Sequence, residues 1–511
     1  MREIRRLIYD FDYPADMPAI DPVSVLLLVA VVLFLLKFYY GRQGNGDKNF
    51  PPGPKPLPLI GNIHHLILKK QKPHKTFQEM AEKYGSIFTI HLGFEKIVIL
   101  CGYETVKDAL INHADEFSER PYLPLMEALA KGNGLIFSHG ENAKVMRRFT
   151  LSTLRDFGMG KKSIEGKIIE ECDLLVEEFR SNKGKPFDNS ELMTAAVANI
   201  IVVLLLGQRF EFNSPILLKL MMLFQECLKI MSGPMALLYS AYPSVMRWIP
   251  GSHKTIFNYA EKTRDFFRES FIKYNEELDM NDQRNLIDAF LVKQKEEKSS
   301  AQKFFHNDNL LSLVNTLFGA GMETTSTTLR WGLLLMMKYP EIQKKVQDEI
   351  DRVIGSSQPQ TEHRKEMPYT DAVIHEIQRF GDISPTGIPH ATTQDITFRG
   401  YFLPKGTHII TLLTSVLHDK DYFEKPYDFY PQHFLDSEGN FVKNDAFLPF
   451  SAGRRSCAGE TLARMELFLF FTRLLQKFTF QPPHGVEVDL TPSSAVTTSP
   501  LPYEMCAIPR N

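Results

Sequence analysis

The sequence predicts a mixed, mainly α-helical protein with a small β region, an α+β fold class preceded by one transmembrane helix. Residues 86–101 contain two β-rich runs around a Gly-containing turn, which predicts a hairpin. From there to about residue 380, apolar residues recur mostly at helical spacing. Strand- and loop-rich sequence then follows until a last helix after Cys457.

Composition narrows the functional class. The chain has 511 residues, 43% of them hydrophobic, which is enough for a large core. Its net charge of −2 gives no basic footprint for nucleic acid. The five cysteines lie far apart without a C-x-x-C pair, so neither a zinc site nor a disulfide framework is predicted. This cysteine pattern favours a reducing, cytosol-facing body.

An apolar segment near the N-terminus predicts a membrane anchor over residues 20–40. A helix of this length spans about 30 Å, enough for one bilayer crossing. The flank at residues 37–60 holds four basic residues and one acid. The positive-inside rule therefore puts the body in the cytosol and the lead, residues 1–19, in the lumen. A buried core helix is the alternative, although it suits a terminal position poorly.

A Pro/Gly-rich hinge, residues 41–61, separates this anchor from the rest of the chain. Proline-rich chain is stiff and extended, so the hinge can hold the body in a set orientation to the membrane. The predicted catalytic domain is the remainder, residues 62–511.

A long helix is predicted over residues 308–338, with Asp308 as its N-cap and a stop before Pro340. Gly321 and the adjacent threonines lower helix propensity at its centre, where the backbone ladder could open to a ligand or water. The Glu323 carboxyl and the Thr324 hydroxyl are candidates for handling protons there. A small-residue patch for close helix packing is the alternative.

The segment at residues 450–459 carries one cysteine just ahead of a helix predicted from residue 460. At such a helix N-terminus, unpaired amides and the helix dipole favour a thiolate at Cys457, a ligand for a soft metal or haem iron. Gly453 permits a backbone turn that a side chain would block. A buried free cysteine used only for packing is the alternative.

The combination of Phe450, Gly453, Arg455, Cys457 and Gly459 within ten positions resembles the haem-binding loop of the cytochrome P450 family. The resemblance implies that Cys457 binds the iron of haem b and that Arg455 meets a propionate. It also implies that Phe450 shields the sulfur and that Gly459 lets the helix approach the flat cofactor. The motifs of this family follow in the expected order from residue 20 to residue 511.

Two further residues correspond to propionate contacts by this resemblance. Residues 140–149 are similar to the helix with a Trp-x-x-x-Arg motif, in which Arg147 matches the arginine. Ala143 stands where the family has tryptophan, which removes an N–H donor and packing surface and lowers the expected haem affinity. His390, in a segment similar to family-2 members, matches a histidine at a propionate. A loop histidine without a ligand is the alternative.

Glu376 and Arg379 resemble the Glu-x-x-Arg pair of the same family. The spacing is unspecific, since it also occurs at Glu177 and Arg180 and elsewhere, and only its place before the cysteine loop selects this pair. A buried ion pair needs a third polar partner, which the resemblance assigns to His433. These three are expected to lock the fold behind the haem.

The resemblance implies a haem-thiolate monooxygenase anchored in the endoplasmic reticulum membrane. No dinucleotide fingerprint occurs in the chain, so electrons are expected from NADPH–cytochrome P450 reductase, with cytochrome b5 as a second donor. The acidic surface of the reductase would dock on basic residues near the cysteine, such as Lys144, Arg148 and Arg454. The enzyme would activate O2 and hydroxylate or epoxidise fatty acids, steroids or xenobiotics.

The expected substrate pocket is apolar and selects little among lipophilic molecules. Its expected lining residues are Leu123, Phe137, Phe318, Ala320, Ile388 and Leu501. A haem-thiolate isomerase that rearranges a peroxide without external electrons is one alternative function, although the Glu323–Thr324 pair that such members alter is intact here. A haem-binding membrane scaffold without turnover is another, and Ala143 favours it.

Overall fold

The computed structural model describes residues 49–68, 72–297, 304–493 and 497–510, together with Leu26, Val29 and Ala30. Helices make up most of this part, as the helical spacing predicts. In chain order they are α1 Ile63–Leu68, α2 Pro73–Tyr84, α3 Tyr103–Lys107, α4 Pro124–Ala130, α5 Gly140–Asp156, α6 Lys162–Ser181, α7 Ser190–Leu206, α8 Pro215–Met231, α9 Pro234–Ala241, α10 Pro243–Met246, α11 His253–Glu276, α12 Leu286–Glu296, α13 Asn307–Lys338, α14 Pro340–Val353, α15 Pro368–Gly381, α16 Leu413–Leu417 and α17 Glu460–Lys477.

The β region is small, as predicted, and forms three sheets. Its strands are β1 Ile87–Leu92, β2 Glu95–Leu100, β3 Phe187–Asp188, β4 His390–Ala391, β5 Ile396–Phe398, β6 Tyr401–Leu403, β7 His408–Thr411, β8 Phe478–Gln481 and β9 Glu504–Pro509. The sheet orders are β1-β2-β7-β4, β3-β9-β8 and β5-β6. β1 and β2 form the predicted antiparallel hairpin, with Ile87 opposite Leu100 and a turn at Gly93, whose φ is +63°.

The core is organised around α13, whose 32 residues run for about 48 Å through the domain. α7 packs along it and is apolar on nearly every face, as expected of a helix surrounded by protein. The helix begins at Asn307, and its N-cap is His306, whose ring accepts from the N–H of Asn309 at 3.3 Å. The prediction of Asp308 as the cap was therefore wrong. Asp308 lies inside the first turn, where a carboxylate still favours the positive end of the helix dipole.

The second half of the predicted hinge is attached to the body along β1. The N–H of Thr89 donates to the carbonyl of Pro52 at 2.7 Å, and its hydroxyl donates to the carbonyl of Pro51 at 2.9 Å. A Cβ on Gly53 would lie 1.9 Å from the Thr89 carbonyl oxygen, so this close approach requires glycine. The end of the hinge is therefore attached to β1 at Thr89.

The predicted anchor, residues 20–40, lies outside the described residues except for Leu26, Val29 and Ala30. Among the helices that are described, none combines the length and apolar character needed to cross a bilayer.

Candidate active site

The cysteine loop is built around a left-handed turn at Gly453. Gly453 has a φ of +76°, and a Cβ there would lie 2.0 Å from the carbonyl oxygen of Leu110, so only glycine fits. A 3₁₀ turn, Gly453–Arg455, follows, and the N–H of Cys457 donates to the carbonyl of Phe450 at 3.0 Å. The loop thereby holds Cys457 at the N-terminal end of α17, as the sequence predicts.

The Cys457 sulfur lies within hydrogen-bonding reach of the backbone amides of Gly459 and Glu460. Burial raises the pKa of the Cys457 thiol, whereas the two amides and the Arg147 guanidinium act in the opposite direction. The Cys457 side chain is exposed among the described residues. Of the described atoms, a Cβ on Gly459 would contact just this sulfur, at 3.9 Å, so a flat group can approach this face.

Three guanidinium groups lie together near this cysteine. Burial lowers the pKa of Arg120 well below its ordinary value, and the charges of Arg455 and Arg147 lower it further. Burial likewise lowers the pKa of Arg147 and of Arg455. The Glu119 carboxylate acts on Arg120 and Arg455 but is already paired with His139 at 3.1 Å. The cluster therefore carries an excess of positive charge, which a bound anion would stabilise.

Two of these arginines also tie separate loops together. Arg455 donates to the carbonyls of Ile136 at 2.8 Å and Ser138 at 3.3 Å. Arg120 donates to the carbonyls of Ile136 at 3.2 Å and Ile388 at 3.0 Å. The loops that contain Ile136 and Ile388 are therefore held by members of the same arginine cluster.

His390 lies beside this cluster as the first residue of β4. Its Nδ1 donates to the carbonyl of Phe117 at 2.8 Å. Burial lowers the pKa of His390 to about 3, and the charges of Arg120 and Arg455 add to the shift. The ring is therefore neutral with a lone pair on Nε2. Contact between Nε2 and a carboxylate requires the imidazolium form, which a nearby negative charge would favour.

The residues around Cys457 fit the haem that the sequence predicts. An amide-supported thiolate is a haem-iron ligand, and the face next to Gly459 admits a flat group. Arg120, Arg147 and Arg455 together supply the charge that two propionates require. Arg120 was missed by the sequence analysis because no motif or periodicity marks it, and only the meeting of four loops reveals its place.

The Glu323 carboxyl on α13 is buried beside side chains from other parts of the fold. It accepts from the hydroxyls of Thr497 at 3.2 Å and Thr327 at 3.4 Å. Burial raises the pKa of Glu323, and its hydrogen bonds, including one from Gln225 of α8, counter that shift. A carboxyl with a raised pKa can hold and release a proton nearer to neutral pH.

Thr324 follows directly, and its hydroxyl donates to the carbonyl of Ala320 at 2.7 Å. Consecutive residues of an α-helix point about 100° apart, so the Glu323 and Thr324 side chains diverge. The helix is continuous here, and a Cβ on Gly321 would lie 2.6 Å from Ile201 of α7. Gly321 therefore serves close packing of the two helices, and the expected opening of the ladder is not seen.

Glu376 and Arg379 of α15 meet His433 of a 3₁₀ turn, and the first two side chains have no exposed surface. The Arg379 guanidinium pairs with the Glu376 carboxylate at 2.7 Å and donates to three backbone carbonyls. His433 Nε2 accepts from the N–H of Lys425 at 3.1 Å, which leaves Nδ1 protonated to donate to Glu376 at 3.2 Å. The N–H of Tyr430 donates to the same carboxylate. Every charge in this cluster is therefore compensated.

The six residues expected to line the substrate pocket differ in exposure. Ile388 is 36% exposed and Leu501 is 38% exposed, and Ala320 is exposed as well. Leu123 and Phe137 are partly buried. Phe318 has no exposed surface and packs between Phe224 and Phe267, with ring centroids 5.3 and 6.1 Å away. Phe318 therefore contributes to the core, whereas the other five have surface that a ligand can contact.

A second buried acid, Glu466 of α17, was not singled out by the sequence analysis. It is 1% exposed, and its Oε1 has no hydrogen-bond partner among the described residues. Burial raises the pKa of Glu466 to about 8, opposed by a hydrogen bond from Thr325 of α13. Glu466 occurs in an apolar stretch of α17, and this is the signal that could have found it.

Glu466→Gln is expected to flatten the pH dependence of stability. The folded protein holds a proton on Glu466 between about pH 4.5 and pH 8 that the unfolded chain loses, so this group makes stability fall as pH rises through that range. Removing it should reduce the slope by at most about 1.4 kcal/mol per pH unit. Urea unfolding at several pH values measures this slope, and Glu504→Gln at an exposed position is the control. An unchanged slope in Glu466→Gln would contradict the assignment.

A groove of about 1030 Å³ runs between α5 and the cysteine loop. Ala143, which stands where the resembled motif has tryptophan, lies on its wall together with Arg147 and Arg455. Its charged lining residues are Asp115, Glu119, Lys144, Arg147, Arg148, Arg155, Arg454 and Arg455. Arg454 pairs with Asp115 at 2.8 Å. Arg148 and Arg155 form no ion pair with any described residue.

The chain matches the family model described as Cytochrome P450 over residues 51–507. It is 48% identical over 495 residues to Cytochrome P450 2K4 of Oncorhynchus mykiss, an alignment that covers 95% of this chain and 98% of that protein. It is 46% identical over 493 residues to Cytochrome P450 2C14 of Oryctolagus cuniculus, covering 96% and 100%. It is 46% identical over 464 residues to Cytochrome P450 2F2 of Mus musculus, covering 90% and 94%.

Proposed function

The chain belongs to the cytochrome P450 family, and on this premise we propose that it is a haem-thiolate monooxygenase of lipophilic small molecules. It takes electrons from NADPH–cytochrome P450 reductase, activates O2, and hydroxylates or epoxidises a fatty acid, a steroid or a foreign compound. One observation carries the proposal. The exposed Cys457 sulfur is supported by two amides and lies beside a cluster of arginines with excess positive charge.

In this proposal Cys457 is the iron ligand, and Arg120, Arg147, Arg455 and His390 hold the propionates. Haem, when bound, supplies the oxygen-activation chemistry. The amides at Cys457 limit how much charge the thiolate donates, because each hydrogen bond to sulfur withdraws electron density.

Glu323 and Thr324 manage protons in this proposal. The Glu323 carboxyl holds a proton more readily than an exposed glutamate because it is buried. The Thr324 hydroxyl already donates to Ala320, so its lone pairs can accept a proton donor such as water. Because the two side chains diverge, water has to connect them. Thr497 and Gln225 both hydrogen-bond the Glu323 carboxyl. They provide a polar connection from this carboxyl to the segment before β9 and to α8.

A substrate screen with reductase and NADPH tests the proposed reaction. Lipophilic compounds of the three classes are incubated with the haem-loaded full chain, and products are read by mass for one added oxygen. Activity is expected to require NADPH. The enzyme should discriminate little between substrates that differ in their polar groups, since Leu123, Phe137 and Leu501 offer mainly apolar contacts. Product that forms from a peroxide without reductase would instead favour an isomerase. Haem loading without any turnover would favour a scaffold.

We further propose that the reductase, and cytochrome b5 as a second donor, dock over the groove beside α5. Negative surface on the partner would meet the unpaired charges of Arg148 and Arg155, together with Lys144 at the groove edge. Arg454 contributes less charge to this surface because Asp115 compensates it. Arg155 is not among the docking residues predicted from the sequence, which are Lys144, Arg148 and Arg454.

The double substitution Arg148→Glu/Arg155→Glu is expected to slow reduction by the reductase about tenfold at low salt. Charge reversal opposes the encounter of the two proteins, and the effect should shrink as salt screens it. Stopped-flow reduction under carbon monoxide measures the rate. Lys162→Glu, at an exposed position beyond α5, is the matched control. The docking surface is misplaced if the control slows as much as the double variant.

A membrane location at the endoplasmic reticulum, with the body in the cytosol, completes the proposal. Its support within the described residues is an exposed apolar surface formed by the β1–β2 turn, the chain before α1 and the chain after α10. Phe94 is 60% exposed and Trp248 is 76% exposed. Tyr242, directly before α10, contacts the other two parts, since its hydroxyl donates to the carbonyl of Leu59 and its ring lies 6.5 Å from that of Phe94. Such a surface suits the membrane interface.

A further inference from the structure

Arg464 lies one turn into α17 and joins the region of Cys457 to α15. Its Nε donates to the Glu460 carboxylate at 2.9 Å. Its guanidinium lies over the ring of Phe450, 5.2 Å from the centroid, and 5.9 Å from that of Phe447. Its Nη1 donates to Nε2 of His375 at 3.1 Å. The side chain is therefore held on three sides.

His375 fixes the direction of this arginine. Its Nδ1 donates to the backbone carbonyl of Asp371 at 2.7 Å, and the Asp371 carboxylate lies 3.2 Å from the same nitrogen. Nε2 is then the acceptor of the neutral ring, which is the form that can receive the N–H of Arg464. Three aromatic rings surround the imidazole, with centroids 4.6 to 5.3 Å away. Arg464 thus has a rigid partner on a different helix.

Both groups that Arg464 contacts on the cysteine side are connected to Cys457. The carbonyl of Phe450 accepts from the N–H of Cys457 at 3.0 Å. The amide of Glu460 hydrogen-bonds the sulfur, and the negative charge of the Glu460 carboxylate opposes ionisation of the thiol. Arg464 compensates this carboxylate, so the thiolate experiences little net charge from the pair.

We propose that Arg464 is a positioning residue that sets the electron-donating strength of the Cys457 thiolate by neutralising Glu460 and holding Phe450. The inference rests on the proposed haem-thiolate function. If haem is held by Cys457, its one-electron reduction would add a negative charge near this residue. An uncompensated Glu460 carboxylate opposes that charge, whereas an uncompensated Arg464 favours it.

The experiment is a spectroscopic redox titration of the haem-loaded full chain with a chemical reductant and no protein partner. Arg464→Gln should lower the equilibrium constant for reduction roughly tenfold, which is about 59 mV for one electron. Glu460→Gln should raise it by a similar factor. The double variant should return to within about twofold of the parent, and Arg464→Lys should stay near the parent because it keeps the charge.

Arg473→Gln is the matched control, since this arginine lies farther along α17 and pairs with Asp173 at 2.8 Å. It should leave the equilibrium constant unchanged. Shifts of the same sign in Arg464→Gln and Glu460→Gln, or no shift in either, would overturn the inference. Failure of the underlying function would look different, because the parent protein itself would then lack the red-shifted Soret band under carbon monoxide.

Discussion

Cys457→Ser is expected to abolish the red-shifted Soret band of the reduced protein under carbon monoxide and to lower turnover by more than about 100-fold. A serine hydroxyl is not ionised at neutral pH and cannot donate charge to iron as a thiolate does. Loss of an outer-shell partner alone costs about 10–100-fold in metal affinity or activity, so loss of the ligand should cost more. Absorbance spectra and product formation measure both effects.

Cys506→Ser is the matched control for this substitution. Cys506 is a partly buried residue of β9, in the sheet with β3 and β8. Its replacement should leave the spectrum and the turnover unchanged. The assignment of Cys457 as the iron ligand would be wrong if Cys457→Ser bound haem and kept the red-shifted band.

Glu376→Gln is expected to destabilise the protein by about 3–5 kcal/mol, the cost of leaving one partner of a buried ion pair uncompensated. Arg379 would keep its three carbonyl acceptors but lose the Glu376 carboxylate, its ion-pair partner among the described residues. His433 and the amide of Tyr430 would lose an ionised acceptor at the same time. The midpoint of urea unfolding, followed by circular dichroism, measures the effect.

Glu177→Gln provides the control with the same local spacing. Glu177 pairs with Arg180 at i and i+3 on α6, but both side chains are exposed. Exposed pairs contribute little, so this variant should change stability by less than about 0.5 kcal/mol. Equal urea midpoints for the two variants would show that burial of the Glu376 pair has no special energetic role.

The Glu376–Arg379 and Glu177–Arg180 pairs show what can and cannot be predicted from the sequence. Glu-x-x-Arg spacing occurs at both places, because i and i+3 neighbours share a helix face wherever they occur. Burial distinguishes them, and burial depends on what packs against the helix. His433 completes the cluster from a 3₁₀ turn, Pro431–Phe434, far along the chain. Only the family resemblance anticipated that partner, since no local pattern connects it to Glu376.

Gly321 and Asp308 show where local sequence preferences led to wrong predictions. Low helix propensity at Gly321 suggested an opening, but packing against Ile201 of α7 outweighs a local preference of about 1 kcal/mol. Asp308 was chosen as the cap by residue type, whereas His306 supplies the acceptor that the first-turn amides need. Propensities of this size are easily reversed by the position of the preceding chain.

Features encoded within a few residues could be predicted directly from the sequence: the β1–β2 hairpin from two β-rich runs around Gly93, the turn at Gly453, and the cysteine at a helix start. Their causes are local, because backbone dihedrals, side-chain period and terminal amides depend on near neighbours. The charge cluster of Arg120 with Arg455, the compensation of Glu460 by Arg464, and the buried state of Glu466 came only from the folded chain. Those environments are made by segments distant in sequence, and the strength of a charge depends on which segments surround it.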